Sequence, residues 1–370
     1  MGDGEEGVRK VRFGVIGCGN VSNNYYMPHI AKNYELVAVC DVVAERARRS
    51  AELWGARRWY EDPDKLLRDP EVEAVVITTS HESHSELAVR AAEEGKHFIL
   101  QKPMALSLEE AKRVVNSVKE SGVKAVIEPS DALLSPLIRA IRRELEGLGQ
   151  HCYSIWHTGH SGPTWSEAFF DDRRGGGVIY DLAVYDVARL VAIFGLPSRV
   201  AAIGSIVLKQ RLILKPEEVT AAIRRETYGR GIYYFHDLKP SIRVDVTAFD
   251  NVVGILEYKD GGLAVTLANY TTFTQLHMPP IQIYCTRGSL AVLNPYEPLI
   301  KVVSEKGVKT LGKDRIGEVR LYYHCSIDHL VECIVRDAEP LPSVEWGYKV
   351  TRVLLALDEA AKSGRALSLD

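Results

Sequence analysis

Five short apolar runs punctuate the first third of this chain: VRFGVIG (11–17), LVAVCD (36–41), AVVITTS (74–80), HFILQ (97–101) and KAVIEP (124–129). Segments with helical patterning lie between them over Ala44–Trp54, Ser83–Glu94 and Ser107–Ser121. The last opens on a capping box, Ser107 with Glu110 three residues on. Strands that are apolar almost throughout must be buried on both faces, and helices spaced between them supply the cover. The pattern therefore predicts an α/β unit, a doubly wound parallel sheet, over 1–128. At 370 residues the chain exceeds what one core organises, so a second domain is expected over 129–370.

That second half reads as a series of strands: SRVAAIGSIV, IRVDVTAFD, VVGILEY, LAVTLANYT, PIQIYCT and GSLAVLN. Without long helices between them they predict an α+β domain with a large, mostly antiparallel sheet. One face would cover a helix, and the other also needs cover, which predicts a homodimer or homotetramer through the sheet. A charged stretch, 208–241, interrupts the series, and its aromatic-rich YGRGIYYFHD reads as a subunit contact or a loop over a neighbour's site. With 26% charged residues and a formal charge of −3, the chain has the profile of a soluble protein with no general attraction for nucleic acid or anionic membranes. The polar, acidic N-terminus MGDGEEGVRK lacks a secretory pattern, and no long apolar run follows, so a cytoplasmic location is expected. The six cysteines (18, 40, 152, 285, 325 and 333) form no CxxC pair and read as buried small apolar residues. His324 and His329 are five apart, which matches no metal spacing, and no metal site is expected.

Chemistry enters at the first strand's end, Gly17-Cys18-Gly19-Asn20-Val21-Ser22. This is GxGxxG with Ser22 at the third glycine, placed between a strand and a helix. Gly17 permits the tight turn, and Gly19 lets backbone approach a pyrophosphate at the helix N-terminus. Asp41 closes the second strand 24 residues after Gly17, where an acid accepts hydrogen bonds from a ribose 2′-hydroxyl. Such an acid repels a 2′-phosphate, so NAD is favoured over NADP, with Arg46 and Arg48 nearby as the residues able to reverse that preference.

Three further stretches carry a resemblance. TSHESH (79–84), GKHFILQKPMALSLEEA (95–111) and GGGVIYDLAVYD (175–186) are similar to TPNxxH, GKHVxxEKPxAxxxxEA and GGGxLxDxGxHxxD. Those are segments of the glucose–fructose oxidoreductase, inositol dehydrogenase and rhizopine-catabolism (Gfo/Idh/MocA) family. The closing EPLPSVEWGYKVTRVLLALDEAAKSGRALSLD also resembles that family's last helix and tail. The resemblance implies a Rossmann domain bordered by Gly17, Gly19, Asn20, Val21, Asp41, Thr79, Ser80, His81, His84, Gln101 and Lys102 at the cofactor. It also implies a Lys102–Pro103 peptide that is often cis. The chain departs from the pattern in four places: Gln101 replaces a glutamate, Ser80 and His81 stand where the family has proline and asparagine, Tyr185 replaces the usual histidine, and EPSDALLSP (128–136) lacks an arginine.

The resemblance implies hydride transfer at a secondary alcohol or hemiacetal carbon of a sugar, polyol or related small molecule. Such a reaction needs a group that moves the hydroxyl proton near neutral pH. An unaided tyrosine titrates at about 10, and a neighbouring ammonium favours its phenolate. Lys102 and Tyr185 are thus the expected catalytic pair. Asp181, one turn before Tyr185, either binds substrate and orients the tyrosine or pairs with Arg173 or Arg174. The triple glycine is read as the floor of the site, allowing close approach of backbone to ligand. WHTGHSGPTW (156–165) offers His157, His160 and Trp165 as substrate residues or is a structured loop at a sheet edge. Two other readings stay open: a silent cofactor-sensing regulator on the same fold, and an NAD-dependent glycosidase.

Overall fold

The computed structural model describes residues 10–224, 228, 238–272, 279–294, 298–320 and 322–369. Its first six strands are β1 (Arg12–Ile16), β2 (Glu35–Cys40), β3 (Arg58–Tyr60), β4 (Ala74–Ile77), β5 (His97–Leu100) and β6 (Ala125–Ile127). They form one parallel sheet in the order β3-β2-β1-β4-β5-β6. Helices Ala44–Trp54, His84–Glu93 and Leu108–Ser121 stand where the periodicity put them. Ser107 caps the last one by accepting from the Glu110 amide, while the Glu110 carboxylate accepts from Leu106 rather than closing the box on Ser107. Chain order reverses on either side of β1, and a crevice at such a switch point is where an open α/β sheet takes a ligand.

The second sheet collects β7 (His151–Gly159), β8 (Arg199–Ser205), β11 (Asn251–Glu257), β12 (Leu263–Asn269), β13 (Ile281–Cys285), β14 (Gly288–Asn294), β15 (Leu299–Ser304), β16 (Gly307–Leu311) and β17 (Leu367–Ser368). Its order is β16-β15-β14-β13-β7-β12-β11-β8-β17, antiparallel throughout except between β7 and β12. A separate ribbon pairs β9 (Gln210–Ile213) with β10 (Ile242–Asp245). Trp156, Leu256, Ala268, Ile283 and Val292 pack on the helices Val184–Phe194 and Val344–Ser363 in one core. Alternation along the strands leaves the opposite face apolar yet exposed, with Tyr153, Ile203, Val253, Ile255 and Leu263 outermost.

Several expectations change here. Strand β7, central in the sheet, was hidden by its polar sequence HCYSIWHTG, since only its inner face is buried. The stretch 208–241 includes β9 and the short helix Pro216–Ala221, and of YGRGIYYFHD only Tyr228 lies among the described residues. Tyr323, Ile327, Leu330 and Val331, on the helix Tyr322–Arg336, join the core under β1, β2 and β4. The first unit therefore draws part of its cover from well beyond residue 128. Of the cysteines, Cys18, Cys40 and Cys333 are buried, but Cys152 is exposed and Cys285 and Cys325 are half-buried.

Where β6 ends, Glu128 is 2% exposed and ties three elements together. Its carboxyl accepts from the Tyr26 hydroxyl at 2.8 Å and from the Ser130 amide at 2.6 Å, and Gln101 donates to Tyr26 at 2.7 Å. Burial, only partly offset by hydrogen bonds from Ser326, Ser130 and Tyr26, pushes the Glu128 carboxyl up to about 7 from its ordinary 4.5. A carboxyl raised by folding contributes most stability below its ordinary value and loses it as pH climbs through the raised one. Glu128→Gln, neutral at every pH, should therefore flatten that loss. Calorimetry at about pH 5 and about pH 8 should show the wild type losing on the order of 3 kcal/mol more than the variant. Parallel losses in the two proteins would contradict this role.

Candidate active site

The glycine turn sits at the carboxyl end of β1. Gly17 has φ +96° and donates to Cys40, and a Cβ there would lie 2.7 Å from the Thr78 carbonyl oxygen. Only glycine fits. A Cβ on Gly19 would instead meet nothing within 4 Å, so open space faces that backbone. Asn20 follows, 5% exposed, with its Oδ1 accepting from Asn24 and its Nδ2 buried without a partner. Val21 leads into a π-helical turn, Ser22–Tyr26, that continues as the helix Met27–Asn33. Each Asp41 carboxylate oxygen takes one backbone amide, Cys18 at 2.9 Å and Val43 at 2.8 Å, which fixes the group at the mouth of the turn. The open backbone at Gly19, the orphaned Asn20 donor and the fixed Asp41 acceptor fit a dinucleotide. Both nearby arginines are engaged: Arg46 donates to Thr220, and Arg48 pairs with Glu45 and Glu52.

Across the crevice, the loop after β4 meets the loop after β5. Thr79 accepts from Ser83, whose hydroxyl also reaches the Ser80 carbonyl, closing that turn. His84 is 1% exposed, and its two ring nitrogens face the carbonyls of Pro103 at 2.8 Å and Thr79 at 3.1 Å. Its ring is thus a clamp between the two loops rather than a group reaching a cofactor. The Lys102–Pro103 peptide is cis, as the resemblance implies. Gln101 is spent on Tyr26, away from Lys102's partners. His81 donates from Nδ1 to the Gly175 carbonyl, and burial, aided by the Lys102 charge, lowers it to about 4, so the ring stays neutral.

The triple glycine serves packing rather than ligand approach, which corrects the expectation. Side chains at Gly175, Gly176 and Gly177 would strike Leu106, the carbonyls of Ala168 and Asp171, and the Phe249 carbonyl respectively. The tight fit draws this loop against the nucleotide-side residues His81 and Leu106. The chain then runs through a π-helical turn, Ile179–Ala183, into the helix Val184–Phe194. Such turns redirect side chains and recur at functional sites.

This turn aims Asp181 at Lys102. The ammonium pairs with the Asp181 carboxylate and donates to its backbone carbonyl at 2.9 Å, while it lies 5.1 Å from the centre of the Tyr185 ring. Burial opposes the charge on Lys102, but Asp181 and Tyr185 outweigh it and raise its pKa. Burial likewise opposes the Asp181 carboxylate, and the Lys102 charge with hydrogen bonds from Lys102 and Tyr270 more than compensates, holding it below the usual range. Arg173 and Arg174 are engaged by Asp171 and Glu82, so the alternative pairing of Asp181 is ruled out.

Three partners of this cluster escaped the sequence reading. Tyr270, wholly buried just past β12, donates to Asp181 at 2.5 Å. Asp186, 1% exposed, accepts from Thr158 and Thr266 and so pins the Tyr185 helix to β7 and β12. Burial pushes its carboxyl up to about 6. Arg211 donates to the carbonyls of Ser161 and Tyr270. The signal for Tyr270 was strand parity: Ala264, Thr266 and Ala268 face inward, and position 270 continues that face.

The same parity sorts the aromatic stretch. Trp156 and Thr158 face the helix, so His157 falls on the outer face of β7, away from the cleft, which corrects that assignment. His160 lies beside the Tyr270 ring at 5.5 Å, where it feels the charges of Asp181, Lys102 and Arg211. Trp165 packs with Leu214, Val219 and Ala222 and meets Phe169 edge-on, and Phe169 in turn meets His81. It therefore supports the rim of the cleft.

Comparison with known proteins agrees with this arrangement. Residues 11–128 match the model of an oxidoreductase family with an NAD-binding Rossmann fold, and 146–291 match the GFO/IDH/MocA C-terminal domain. The chain is 26% identical over 371 residues to scyllo-inositol 2-dehydrogenase (NAD(+)) of Bacillus subtilis, covering 98% of this chain and 97% of that one. It is 24% identical to 1,5-anhydro-D-fructose reductase of Ensifer adhaerens, covering 97% and 98%. A solved structure of levoglucosan dehydrogenase with NADH and L-sorbose superposes with a TM-score of 0.79 at 18% identity, covering 98% and 99%. The glycine turn, the Lys102–Asp181 pair and these matches over nearly the whole length make the chain a member of the Gfo/Idh/MocA family of NAD-dependent oxidoreductases.

Proposed function

We propose that this enzyme moves a hydride between NAD and a secondary alcohol or hemiacetal carbon of a sugar, polyol or related small molecule, with Tyr185 carrying the hydroxyl proton. The observation behind this reading is the buried Lys102–Asp181 pair against the Tyr185 ring. The relatives named for scyllo-inositol and 1,5-anhydro-D-fructose support the substrate class. Gly17, Gly19, Asn20, Val21 and Asp41 would hold the dinucleotide, and Thr79, Ser80 and Lys102 would border its reactive end. Bound NAD supplies the hydride acceptor or donor. With its pKa raised, Lys102 remains an ammonium and is no proton acceptor near neutral pH. Its role is to steady negative charge on the tyrosine or substrate oxygen, which leaves the proton to the Tyr185 hydroxyl. Asp181 holds the ammonium in place. The engaged Arg46 and Arg48 leave Asp41 to favour NAD over NADP.

Two features extend the reading. The apolar outer face of the second sheet fits a second copy of the chain, as a homodimer or homotetramer. Six free thiols suit a reducing, cytoplasmic setting.

A panel of sugars and polyols, with NAD reduction followed by absorbance, tests the activity. On the best substrate, Tyr185→Phe should retain NADH binding and lose roughly 10²–10⁴-fold in turnover. Unchanged turnover, where chemistry limits the rate, would remove Tyr185 from the mechanism. For assembly, sedimentation should find at least two copies in the wild type and a monomer in Ile255→Asp, since Ile255 is 43% exposed on that face. A monomeric wild type would contradict the interface.

A further inference from the structure

Charge is balanced through most of the cleft. Lys102 is answered by Asp181, and burial lowers the pKa of His81, His84 and His160, so the three rings are neutral. Arg211 is the exception. It stands on β9 on the same side as the buried Ile213, turned inward, with its guanidinium carbon 5.4 Å from the centre of the Phe170 ring. Among the described residues it makes no ion pair. Its Nη2 is spent on the carbonyls of Ser161 and Tyr270, at 2.9 and 2.5 Å, whereas among the described residues Nε is buried without a partner and Nη1 meets none. Asp250 lends it some opposite charge but makes no ion pair with it, its carboxylate accepting from the amides of Val207 and Leu208.

His160 adds a second donor. Its Nδ1 accepts from the Gly162 amide at 2.9 Å, which leaves the ring proton on Nε2. Tyr270 spans the space between these groups and the reacting centre: its hydroxyl touches Asp181 and its carbonyl takes Arg211. Tyr270 is itself wholly buried and serves as the spacer, with the proton-moving cluster at its hydroxyl end and, at its carbonyl end, a cation that has no ion-pair partner among the described residues.

We propose that Arg211, with His160, forms a subsite for a carboxylate on the substrate, so that the preferred substrates are sugar acids rather than neutral sugars or polyols. The proposal rests on the reading of this cleft as a carbohydrate site. A guanidinium gives a carboxylate charge-assisted hydrogen bonds, here from the donors that the two carbonyls leave open, and a neutral hydroxymethyl group cannot replace them. The carboxylate would also pair with a guanidinium that makes no ion pair among the described residues.

Titration calorimetry of the NADH-loaded enzyme with gluconate and with glucitol tests this, since the two share a carbon chain and differ at one end. The wild type should bind gluconate about 10- to 100-fold more tightly. Arg211→Gln should erase that preference with little change for glucitol, and Arg211→Lys should restore part of it. Because Arg211 also braces two carbonyls, His160→Gln serves as a second variant that leaves the brace intact, and it should reduce the preference by a smaller factor. Equal binding of the two ligands by the wild type, or a gluconate preference that survives Arg211→Gln, would overturn the proposal. The readout is independent of turnover. Gluconate bound through Arg211 but never oxidised would uphold the subsite and sink the dehydrogenase reading instead.

Discussion

The buried pair of Lys102 and Asp181 is the interaction on which the rest of this structure depends. One partner follows β5 of the nucleotide-binding sheet, and the other opens the helix that lies on the second sheet. Neither charge is tolerable alone at that depth, because the desolvation cost of an unpaired buried ion is several kcal/mol. The two halves of the molecule are therefore obliged to meet at one register. Much of the surrounding sequence serves that meeting: His84 clamps the two loops that present Lys102, the triple glycine draws its loop onto Leu106, and Asp186 pins the helix to the sheet.

The arrangement separates three jobs that a single catalytic histidine would combine. In the mechanism proposed for this site, Asp181 fixes charge, Lys102 remains an ammonium, and the hydroxyl proton is left to Tyr185. The loss of a glutamate at Gln101 fits this division. Gln101 turns to Tyr26 and thence to Glu128, so the acid of that region sits at the end of β6, behind the helix that follows the glycine turn. A second carboxylate beside Lys102 would compete with Asp181 for the same ammonium.

Much of this was legible in the chain. The five apolar runs gave the parallel sheet, because strands buried on both faces leave an unbroken pattern. β3 was missed, since RWY at a sheet edge is only half-buried. The motifs named Lys102, Asp181 and Tyr185, which lie together in the structure, whereas what surrounds them did not announce itself. Tyr270 and Arg211 come from strands far along the chain, and only the register of β7 against β12 brings Tyr270 beside His160. His157 was misjudged for the same reason. In a dense cluster of histidine and tryptophan, composition cannot tell which face of a strand a residue occupies, and pairing decides it. The glycines were read as room for a ligand when they are room for Leu106 and for neighbouring carbonyls, a distinction visible only once the second half folds back.

The account stands or falls on Lys102 and Asp181 working as one unit. The most direct test is the single-turnover rate of hydride transfer in Lys102→Met, Asp181→Asn and the double variant. Each single change should cost roughly 10²–10³-fold, the worth of a preorganised charge beside a developing oxyanion, and the double variant should be no slower than the worse single one. Losses that multiply, with the double variant slowed by the product of the two, would show that the residues act independently and would contradict the account.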